Sequence, residues 1–230
     1  MAVISRLRHS AEGNGMELCL QFVSLRGQKK KGERFMKESI KVLIVEDDDD
    51  FAYLLQKELG RQERIVLVGI CREKEEAITQ TEALRPDIVL MDLHLGSSYS
   101  DGIEASRRIR IATEAKVLIL TALGADKIIR EAAGRSFASG YIFKDQMPLL
   151  IENIYAAADR VTGQERILAQ ASLSCLSAAE KTVFYMMLGR EERLRSSKKT
   201  IANQKTQILK KLGLDNVNEL RHVFRFYIGE

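Results

Sequence analysis

The sequence has few cysteines and histidines and no long apolar run. Its three cysteines, Cys19, Cys71 and Cys175, are far apart and show neither a disulfide framework nor the spacing of metal ligands. His9 and His222 have no partners at ligand spacing, so no zinc site is predicted. No run of about 18 apolar residues occurs, and the first residues lack the apolar core and cleavage site of a signal peptide. We therefore expect reduced thiols, no membrane span and a cytoplasmic location.

The net charge of +4 conceals an uneven distribution along the 230 residues. Residues 1–35 carry 7 basic and 3 acidic side chains, residues 36–172 carry 18 and 23, and residues 173–230 carry 11 and 6. A chain of this length can form two modest domains. An acidic body followed by a basic tail indicates a regulatory module joined to a part that meets polyanions.

Residues 1–38 form a basic N-terminal extension without a convincing secondary-structure period. The stretch from Lys30 to Met36 can be encoded by a purine-rich tract a few bases before an ATG, which is how a translated ribosome-binding site reads. Our hypothesis is that translation starts at Met36 and that residues 1–35 are unstructured or absent in the cell. The alternative is a genuine disordered basic extension, and a native protein whose intact mass begins at Met1 would favour it.

Residues 39–160 alternate between short apolar runs and helical patterns. The predicted strands are Lys41–Val45, Ile65–Cys71, Ile88–Met91, Lys116–Leu120 and Gly140–Phe143. The predicted helices are Phe51–Leu59, Lys74–Leu84, Gly102–Thr113, a short one near Asp126–Ala133, and Leu149–Val161. Five such units predict an α/β fold with a five-stranded, doubly wound parallel sheet and helices on both of its faces.

Polar residues follow four of these strands. Glu46 and Asp47 follow the first strand, Asp92 the third, Thr121 the fourth and Lys144 the fifth. The carboxyl ends of parallel strands meet at one edge, where open α/β sheets bind their ligands. Clustered carboxylates repel one another, and a hard divalent cation such as Mg²⁺ holds them ionised. One carboxylate can then attack phosphorus to form an acyl phosphate, while a lysine and a hydroxyl stabilise the phosphoryl oxygens.

These strand ends and their neighbours resemble the receiver domain of two-component response regulators. The resemblance covers about residues 40–160. It rests on Val42-Leu43-Ile44-Val45-Glu46-Asp47-Asp48, Val89-Leu90-Met91-Asp92, Asp101-Gly102-Ile103-Glu104, Leu120-Thr121-Ala122 and Gly140-Tyr141-Ile142-Phe143-Lys144. It implies a flavodoxin-like fold, Mg²⁺ as cofactor and a sensor histidine kinase as partner.

The resemblance also implies a role for each site residue. Asp92 is implied as the phosphoacceptor, and Lys144 as the counter-charge to the phosphate. Magnesium would be bound by Asp47, Asp92 and the His94 backbone carbonyl, with Glu46 acting largely through water. Thr121 and Tyr141 are implied as the switch pair. On this interpretation the chain is not an enzyme, beyond weak self-phosphorylation and dephosphorylation.

Two features depart from the family pattern. The loop after Asp92 is about two residues longer than usual, and Gly96 stands where proline is common. Asp145 replaces the frequent proline after the lysine, as in many regulators with a C-terminal helix-turn-helix. The longer loop can alter the lifetime of the phosphate or the geometry of the metal.

Simpler interpretations of the same residues stay open. The acidic run from Glu46 to Asp50 can be a solvated loop that opens a helix, where negative charge is favourable. Thr121 can be an ordinary strand-end residue, and Tyr141 can be a plain core aromatic. His94 contributes at most its backbone.

The end of the chain is predicted to be a linker that can include some helix, residues 161–172, followed by a small all-α domain, residues 173–230. The domain resembles the helix-turn-helix output domain of the NarL/LuxR class. The resemblance rests on Leu176-Ser177-Ala178-Ala179-Glu180, Thr200-Ile201, Leu209-Lys210-Lys211-Leu212-Gly213-Leu214 and Asn218-Glu219-Leu220. It implies DNA contacts by Lys198, Lys199, Ala202, Asn203, Gln204, Lys205 and Thr206, although the same residues can form an exposed polar face.

The stretch from Gly189 to Thr200 is about six residues shorter than in that class, so its positioning helix is truncated or rebuilt. The leading hypothesis is a response regulator that forms a homodimer on phosphorylation and controls transcription at promoter DNA. The rival is a signalling adaptor with a functional receiver and a tail that dimerises without binding DNA. A metal-dependent phosphatase is disfavoured, because no general-acid motif or substrate cap is visible.

Overall fold

The computed structural model describes residues 38–96, 98–122, 133–191 and 197–227 of the chain. Its strands are β1 (Ile40–Val45), β2 (Ile65–Cys71), β3 (Ile88–Asp92), β4 (Lys116–Thr121) and β5 (Gly140–Phe143). Its helices are α1 (Asp49–Leu59), α2 (Lys74–Leu84), α3 (Tyr99–Ala112), α4 (Met147–Asp159), α5 (Gly163–Ser172), α6 (Ala178–Met187), α7 (Lys198–Leu212) and α8 (Val217–Val223). Two short 3₁₀ turns cover Leu173–Cys175 and Arg225–Tyr227.

The five strands form one sheet in the order β2-β1-β3-β4-β5, and every paired strand is parallel. This is the predicted flavodoxin-like arrangement. The described part of the chain contains no helix long and apolar enough to span a membrane.

The apolar strands are buried because helices cover both faces of the sheet. Leu43 and Val45 belong to the core on one face, whereas Val42 and Ile44 belong to the core on the other. All four side chains are completely buried. Successive side chains of a strand point to opposite faces, so only a continuous apolar run can fill both cores. The strand ends are therefore fixed at the edge where the polar residues lie.

The observed helix ends agree better with the positions of capping residues than with the bounds of the apolar pattern. Asp48 caps α1 by accepting a hydrogen bond of 2.9 Å from the backbone N–H of Phe51. The third helix was predicted to begin at Gly102 but begins at Tyr99, because the hydroxyl of Ser98 caps it through the N–H of Ser100. The acidic run after β1 thus includes a true helix cap as well as the site residues.

Residues 161–172, predicted as a linker, contain the ordered helix α5. Thr162 caps this helix through the N–H of Glu165. Glu165 is buried and lies 3.5 Å from Arg110 Nη2 and 3.0 Å from Lys116 Nζ. The helix is therefore anchored to the receiver by ion pairs between residues distant in sequence, which a local reading of the sequence does not show.

The tail is helical, as predicted, and its helix signals are confirmed. Ser177 and Glu180 form a capping box at the start of α6, and Ser197 caps α7. Gly213 ends α7 with φ of 61°, a left-handed conformation that glycine adopts without strain. The tail core includes Val183, Phe184, Met187 and Leu188, together with Phe137 of the receiver sequence.

Three predictions fall wholly or mainly outside the described residues. They concern the N-terminal extension, the helix near Asp126–Ala133 and the shortened stretch after Gly189. Of the second region, residues 133–135 are described and helical. Of the third, residues 189–191 are described and are not helical, and residues 192–196 are not described.

Candidate functional site

The site lies on the rim formed by the carboxyl ends of the strands. Val45 pairs with Met91, and Asp92 pairs with Leu120, so the ends of β1, β3 and β4 lie side by side. Thr121 pairs with Phe143, the residue before Lys144. The parallel register therefore brings the predicted acids, hydroxyl and lysine to one edge of the sheet.

Three carboxylates meet on this rim. Glu46, Asp47 and Asp92 each offer an oxygen, and these oxygens all lie within 4.8 Å of one another. Glu46 and Asp92 are buried, with exposed fractions of 1% and 4%, whereas Asp47 is exposed. The cluster thus has two enclosed acids and one that opens to solvent, the side from which a hydrated ion would enter.

Lys144 places its ammonium group between the two buried acids. Its Nζ lies 3.0 Å from Asp92 Oδ2 and 2.8 Å from Glu46 Oε2, and it donates a hydrogen bond of 2.9 Å to Glu46 Oε1. It also lies 4.6 Å from the centre of the Phe51 ring, a cation–π contact. One cation therefore neutralises part of the charge of the two buried acids.

Burial and mutual repulsion change the acidity of these groups. Burial raises the pKa of Glu46 to about 7; the hydrogen bond from Lys144 opposes this, and the charge of Asp92 adds to it. The pKa of Lys144 is also raised, because its interactions with Glu46 and Asp92 outweigh the effect of burial. Burial and the neighbouring charge of Asp92 thus both disfavour the ionised form of Glu46, and a further cation at the rim would favour it.

The donor set fits Mg²⁺. All three candidate ligands are carboxylates, the oxygen donors that this hard cation prefers. Glu46 Oε2 is buried and makes no hydrogen bond within the described residues, because its contact with Lys144 is ionic and not aligned as a hydrogen bond. An acceptor left in this state favours a bound cation or a water attached to one.

The loop after β3 contacts the site in a way that the sequence did not predict. The backbone N–H of Gly96 donates a hydrogen bond of 2.9 Å to Asp47 Oδ2. Gly96 has φ of 63°, and Leu95 and Ser98 form an antiparallel bridge around it. The extra loop length and the glycine were visible in the sequence, but the contact depends on how the loop folds back.

Thr121 and Tyr141 occupy neighbouring strands near the rim. Thr121 is buried, and its hydroxyl lies 3.4 Å from the carbonyl oxygen of Ala122. The hydroxyl of Tyr141 lies 3.0 Å from Ser136 Oγ, and burial raises the pKa of Tyr141 to about 12. His94 is half-buried two residues beyond Asp92. The roles of these residues remain predictions.

The predicted DNA-contacting residues lie in the first half of α7. Lys198, Lys199, Asn203 and Thr206 are exposed there, as is Ala202, and Gln204 and Lys205 are half-buried. The opposite side of the helix is buried at Ile208 and Leu212. The helix therefore packs through its apolar side and leaves a basic, polar side in solvent.

Comparisons with known proteins agree with this geometry. The model of the response regulator receiver domain family matches residues 42–155. The transcriptional regulatory protein LnrK of Bacillus subtilis (strain 168) is 35% identical over 107 residues, 46% of this chain and 47% of that protein. The response regulator protein VraR of Staphylococcus aureus (strain NCTC 8325 / PS 47) is 36% identical over 107 residues, 46% of this chain and 50% of that protein.

There are two further matches. One is a protein that carries an enzyme's name, and the other is a solved structure. A protein-glutamate methylesterase/protein-glutamine glutaminase of Syntrophus aciditrophicus (strain SB) is 39% identical over 83 residues, 36% of this chain and 23% of that protein. A solved structure of the RcsB response regulator of Salmonella typhimurium is 23% identical, covers 81% of this chain and 97% of its own, and has a TM-score of 0.49.

The match spans about half the length of LnrK and VraR, so those relatives identify the receiver and not the tail. Within the residues that the family model matches lie the carboxylates, the hydroxyl and the lysine of the rim. Residues 42–155 therefore match the receiver domain of response regulators.

Proposed function

We propose that the chain is a phosphoacceptor switch that controls transcription. A sensor histidine kinase supplies a phosphoryl group to Asp92, and the phosphorylated receiver changes how the basic tail engages promoter DNA, as a homodimer. The observation that carries this proposal is the contact of Lys144 with Asp92 beside two further acids on the rim.

The residues of the rim divide the chemistry among themselves. An oxygen of Asp92 attacks phosphorus, the bond from phosphorus to the donor nitrogen or oxygen breaks, and an acyl phosphate forms on the carboxylate. Lys144, already 3.0 Å from Asp92, stays beside the phosphoryl oxygens as their counter-charge. Thr121, at the end of the adjacent strand, donates its hydroxyl proton to a phosphoryl oxygen.

Glu46, Asp47, Asp92 and the carbonyl of His94 would hold Mg²⁺, with Glu46 acting largely through water. When bound, the ion supplies charge that offsets the repulsion between the carboxylates and the incoming phosphoryl group. Asp47 is the exposed member of the set, and the N–H of Gly96 fixes its orientation. The chain itself thus binds and orients both the ion and the acceptor carboxylate.

The tail supports a DNA partner through charge and shape. Residues 173–230 carry 11 basic and 6 acidic side chains, and the first half of α7 presents lysines beside amide side chains. Lysines bind phosphates, while Asn203 and Gln204 can read base edges. The matched relatives LnrK and VraR are named as a transcriptional regulatory protein and a response regulator protein.

Two measurements test the proposal. Acetyl phosphate with Mg²⁺ is expected to label the wild-type chain and not Asp92→Asn, and labelling of Asp92→Asn would end the phosphoacceptor assignment. Duplex DNA binding is expected to weaken with salt and to drop in Lys198→Ala and Lys205→Ala. Lys210→Ala, towards the far end of the same helix, is the matched control.

The DNA measurement also separates the rival function. Binding that falls equally in all three lysine variants would indicate nonspecific charge attraction. Binding that is absent, or indifferent to Lys198 and Lys205, with Asp92 still labelled, would favour an adaptor whose tail only dimerises. The non-helical residues 189–191 between α6 and α7 are the structural reason for testing that outcome.

A further inference from the structure

Phe137 belongs to the receiver sequence but packs in the core of the tail. It is only 6% exposed, and its ring meets the ring of Phe224 edge to face, with centroids 5.7 Å apart. Phe224 in turn meets Phe184 at 5.1 Å in the centre of that core. The receiver thus supplies one of the aromatic side chains that hold the tail together.

The receiver holds the backbone of this residue in a costly conformation. Phe137 has φ of 53°, in the left-handed region that residues other than glycine rarely adopt. Its carbonyl oxygen accepts a hydrogen bond of 3.1 Å from Arg110 Nε, and the carbonyl of Ser136 accepts one of 3.0 Å from Ser106 Oγ. Such conformations persist only where surrounding contacts enforce them. The turn is therefore set by α3 on one side and by the tail on the other.

Tyr141 is connected to the same turn. Its hydroxyl lies 3.0 Å from the Oγ of Ser136, the residue directly before Phe137. Ser136 is completely buried, and its Oγ also accepts a hydrogen bond of 3.2 Å from the N–H of Ala138. One hydroxyl thus joins the predicted switch residue to both peptide units that flank Phe137.

The tail rests on α3 around this point. Arg107 stacks its guanidinium 4.9 Å from the Phe137 ring and donates hydrogen bonds to the carbonyls of Leu212, at 2.8 Å, and Gly213, at the end of α7. His222 Nε2 lies 2.9 Å from the carbonyl oxygen of Thr113, the residue after α3. The end of α7 and the helix α8 are therefore both held against the receiver beside Phe137.

We propose that Phe137 couples the receiver to the tail and that the position of Tyr141 determines whether this coupling holds. The hydrogen bond between Tyr141 and Ser136 keeps the turn in the conformation that seats Phe137 in the tail core. When Tyr141 moves, the turn relaxes, Phe137 withdraws and the tail loosens from α3. The proposal rests on the proposed function, which supplies phosphorylation of Asp92 as the event that would move Tyr141.

The physical basis is that close packing is not continuously deformable. An aromatic ring that is displaced from its packed position by a fraction of an ångström loses much of its dispersion energy. The packing of a core therefore changes between discrete arrangements and not continuously. The left-handed conformation of the turn costs free energy, and this cost is relieved when its contacts with either α3 or the tail are lost. A small displacement at Tyr141 can thus produce a large change in the tail.

The first experiment measures amide hydrogen exchange in the full-length chain without ligands. Phe137→Gly removes the ring and suits φ of 53°, whereas Phe137→Leu keeps an apolar side chain at the same φ. We expect exchange in α6 and α8 to rise roughly threefold or more in Phe137→Gly and to stay within about twofold in Phe137→Leu. Arg107→Gln, a second variant at a partly exposed position, is expected to raise exchange at the end of α7. Unchanged exchange in all three variants would overturn the proposal.

The second experiment adds Mg²⁺ with beryllofluoride, a mimic of the phosphoryl group. Binding is read as slower exchange in the peptides that contain Asp47 and Asp92. With binding present, we expect faster exchange in residues 136–138 and α8 of the wild type, and exchange in Ser136→Ala that is already fast and changes little. Binding with no change in the tail would overturn the coupling alone. Absence of binding would count against the proposed function, while the ligand-free comparison would still decide the coupling.

Discussion

At the scale of single residues, the charge balance of the rim depends on Lys144. Its ammonium group lies within 3.0 Å of both Glu46 and Asp92, and no other described lysine or arginine forms an ion pair with either acid. Removing it leaves two buried carboxylates facing each other with no counter-charge from the residues that the structure describes. The incoming phosphoryl oxygens would meet the same repulsion.

Lys144→Met should therefore slow labelling of Asp92 by acetyl phosphate. We expect a loss of at least about tenfold, equivalent to ~1.4 kcal/mol of transition-state stabilisation. Lys57→Met, at an exposed position on α1, is the control and should label at the wild-type rate. Equal rates in both variants would contradict the role given to Lys144.

Gly96 supports a second prediction at this scale. Gly96→Pro removes the N–H that binds Asp47 and forbids φ of 63°, whereas Gly96→Asn keeps the donor and tolerates that conformation. Titration calorimetry with Mg²⁺ should show roughly threefold to tenfold weaker binding in the proline variant and near-normal binding in the asparagine variant. Equal affinities would mean that the loop does not orient Asp47.

The strand-end residues could be predicted from the sequence, because a parallel sheet brings the carboxyl end of every strand to one edge. Glu46, Asp47, Asp92 and Lys144 follow from counting strands. The contact of Gly96 with Asp47 and that of Tyr141 with Ser136 could not, because each depends on the path of a loop. Side chains positioned by the regular strands of the sheet can be predicted from the sequence, whereas contacts that depend on the path of a loop cannot.

At the scale of elements, α5 is held by a buried network of charges. Glu165 Oε1 accepts a hydrogen bond of 3.2 Å from Ser139 Oγ, and the carboxylate pairs with Arg110 and Lys116. The side chains of Arg110 and Glu165 are only 3% and 4% exposed. Burial lowers the pKa of Arg110, which reflects the cost of placing its charge in the interior. The helix is thus part of the fold and not a free tether.

Glu165→Gln should destabilise the protein strongly, because it leaves the buried Arg110 and the partly buried Lys116 without their counter-charge. We expect a loss of about 3 kcal/mol in the free energy of unfolding, measured with urea. Glu58→Gln breaks an exposed pair with Arg61 and should cost at most about 0.5 kcal/mol. A similar, small loss in both variants would show that α5 is only loosely attached.

The capping box of α6 predicts a pH effect. The hydrogen bond from Lys211 and the N–H of Ser177 lower the pKa of Glu180 to about 2. Its stabilising contribution is complete above the unfolded value of 4.5 and is lost as the pH falls towards 2. Acid unfolding of Glu180→Gln should depend less on pH in this window than that of the wild type, with Glu63→Gln, at an exposed position, as control. Parallel curves for wild type and Glu180→Gln would contradict this.

Element boundaries were predictable where a local signal set them. Ser177, Ser197 and Gly213 mark helix ends by their own chemistry. The sequence allowed some helix within the linker but did not define α5, because its short sequence has one strong signal, Thr162 before Glu165, and its stability comes from Arg110 and Lys116, far away in the chain. Tertiary contacts of this kind override local pattern.

At the scale of the whole molecule, the described tail is packed on the receiver instead of hanging from it. Arg225 pairs with Glu114 at 2.8 Å, and Ile111 of α3 packs against the tail core. The sequence predicted two domains but not this interface, because its members are spread over α3, the turn at Phe137 and the tail. The turn at Phe137 is therefore connected through Arg107 to the end of α7.

The most direct test of the account is to locate the phosphoryl group. The full-length chain is treated with acetyl phosphate and Mg²⁺, digested at acid pH and mapped by mass spectrometry. The account predicts one phosphorylated peptide, the one that contains Asp92, and its loss when Mg²⁺ is omitted or chelated. A phosphoryl group on any other residue, or on Asp92 to the same extent without the ion, would contradict it.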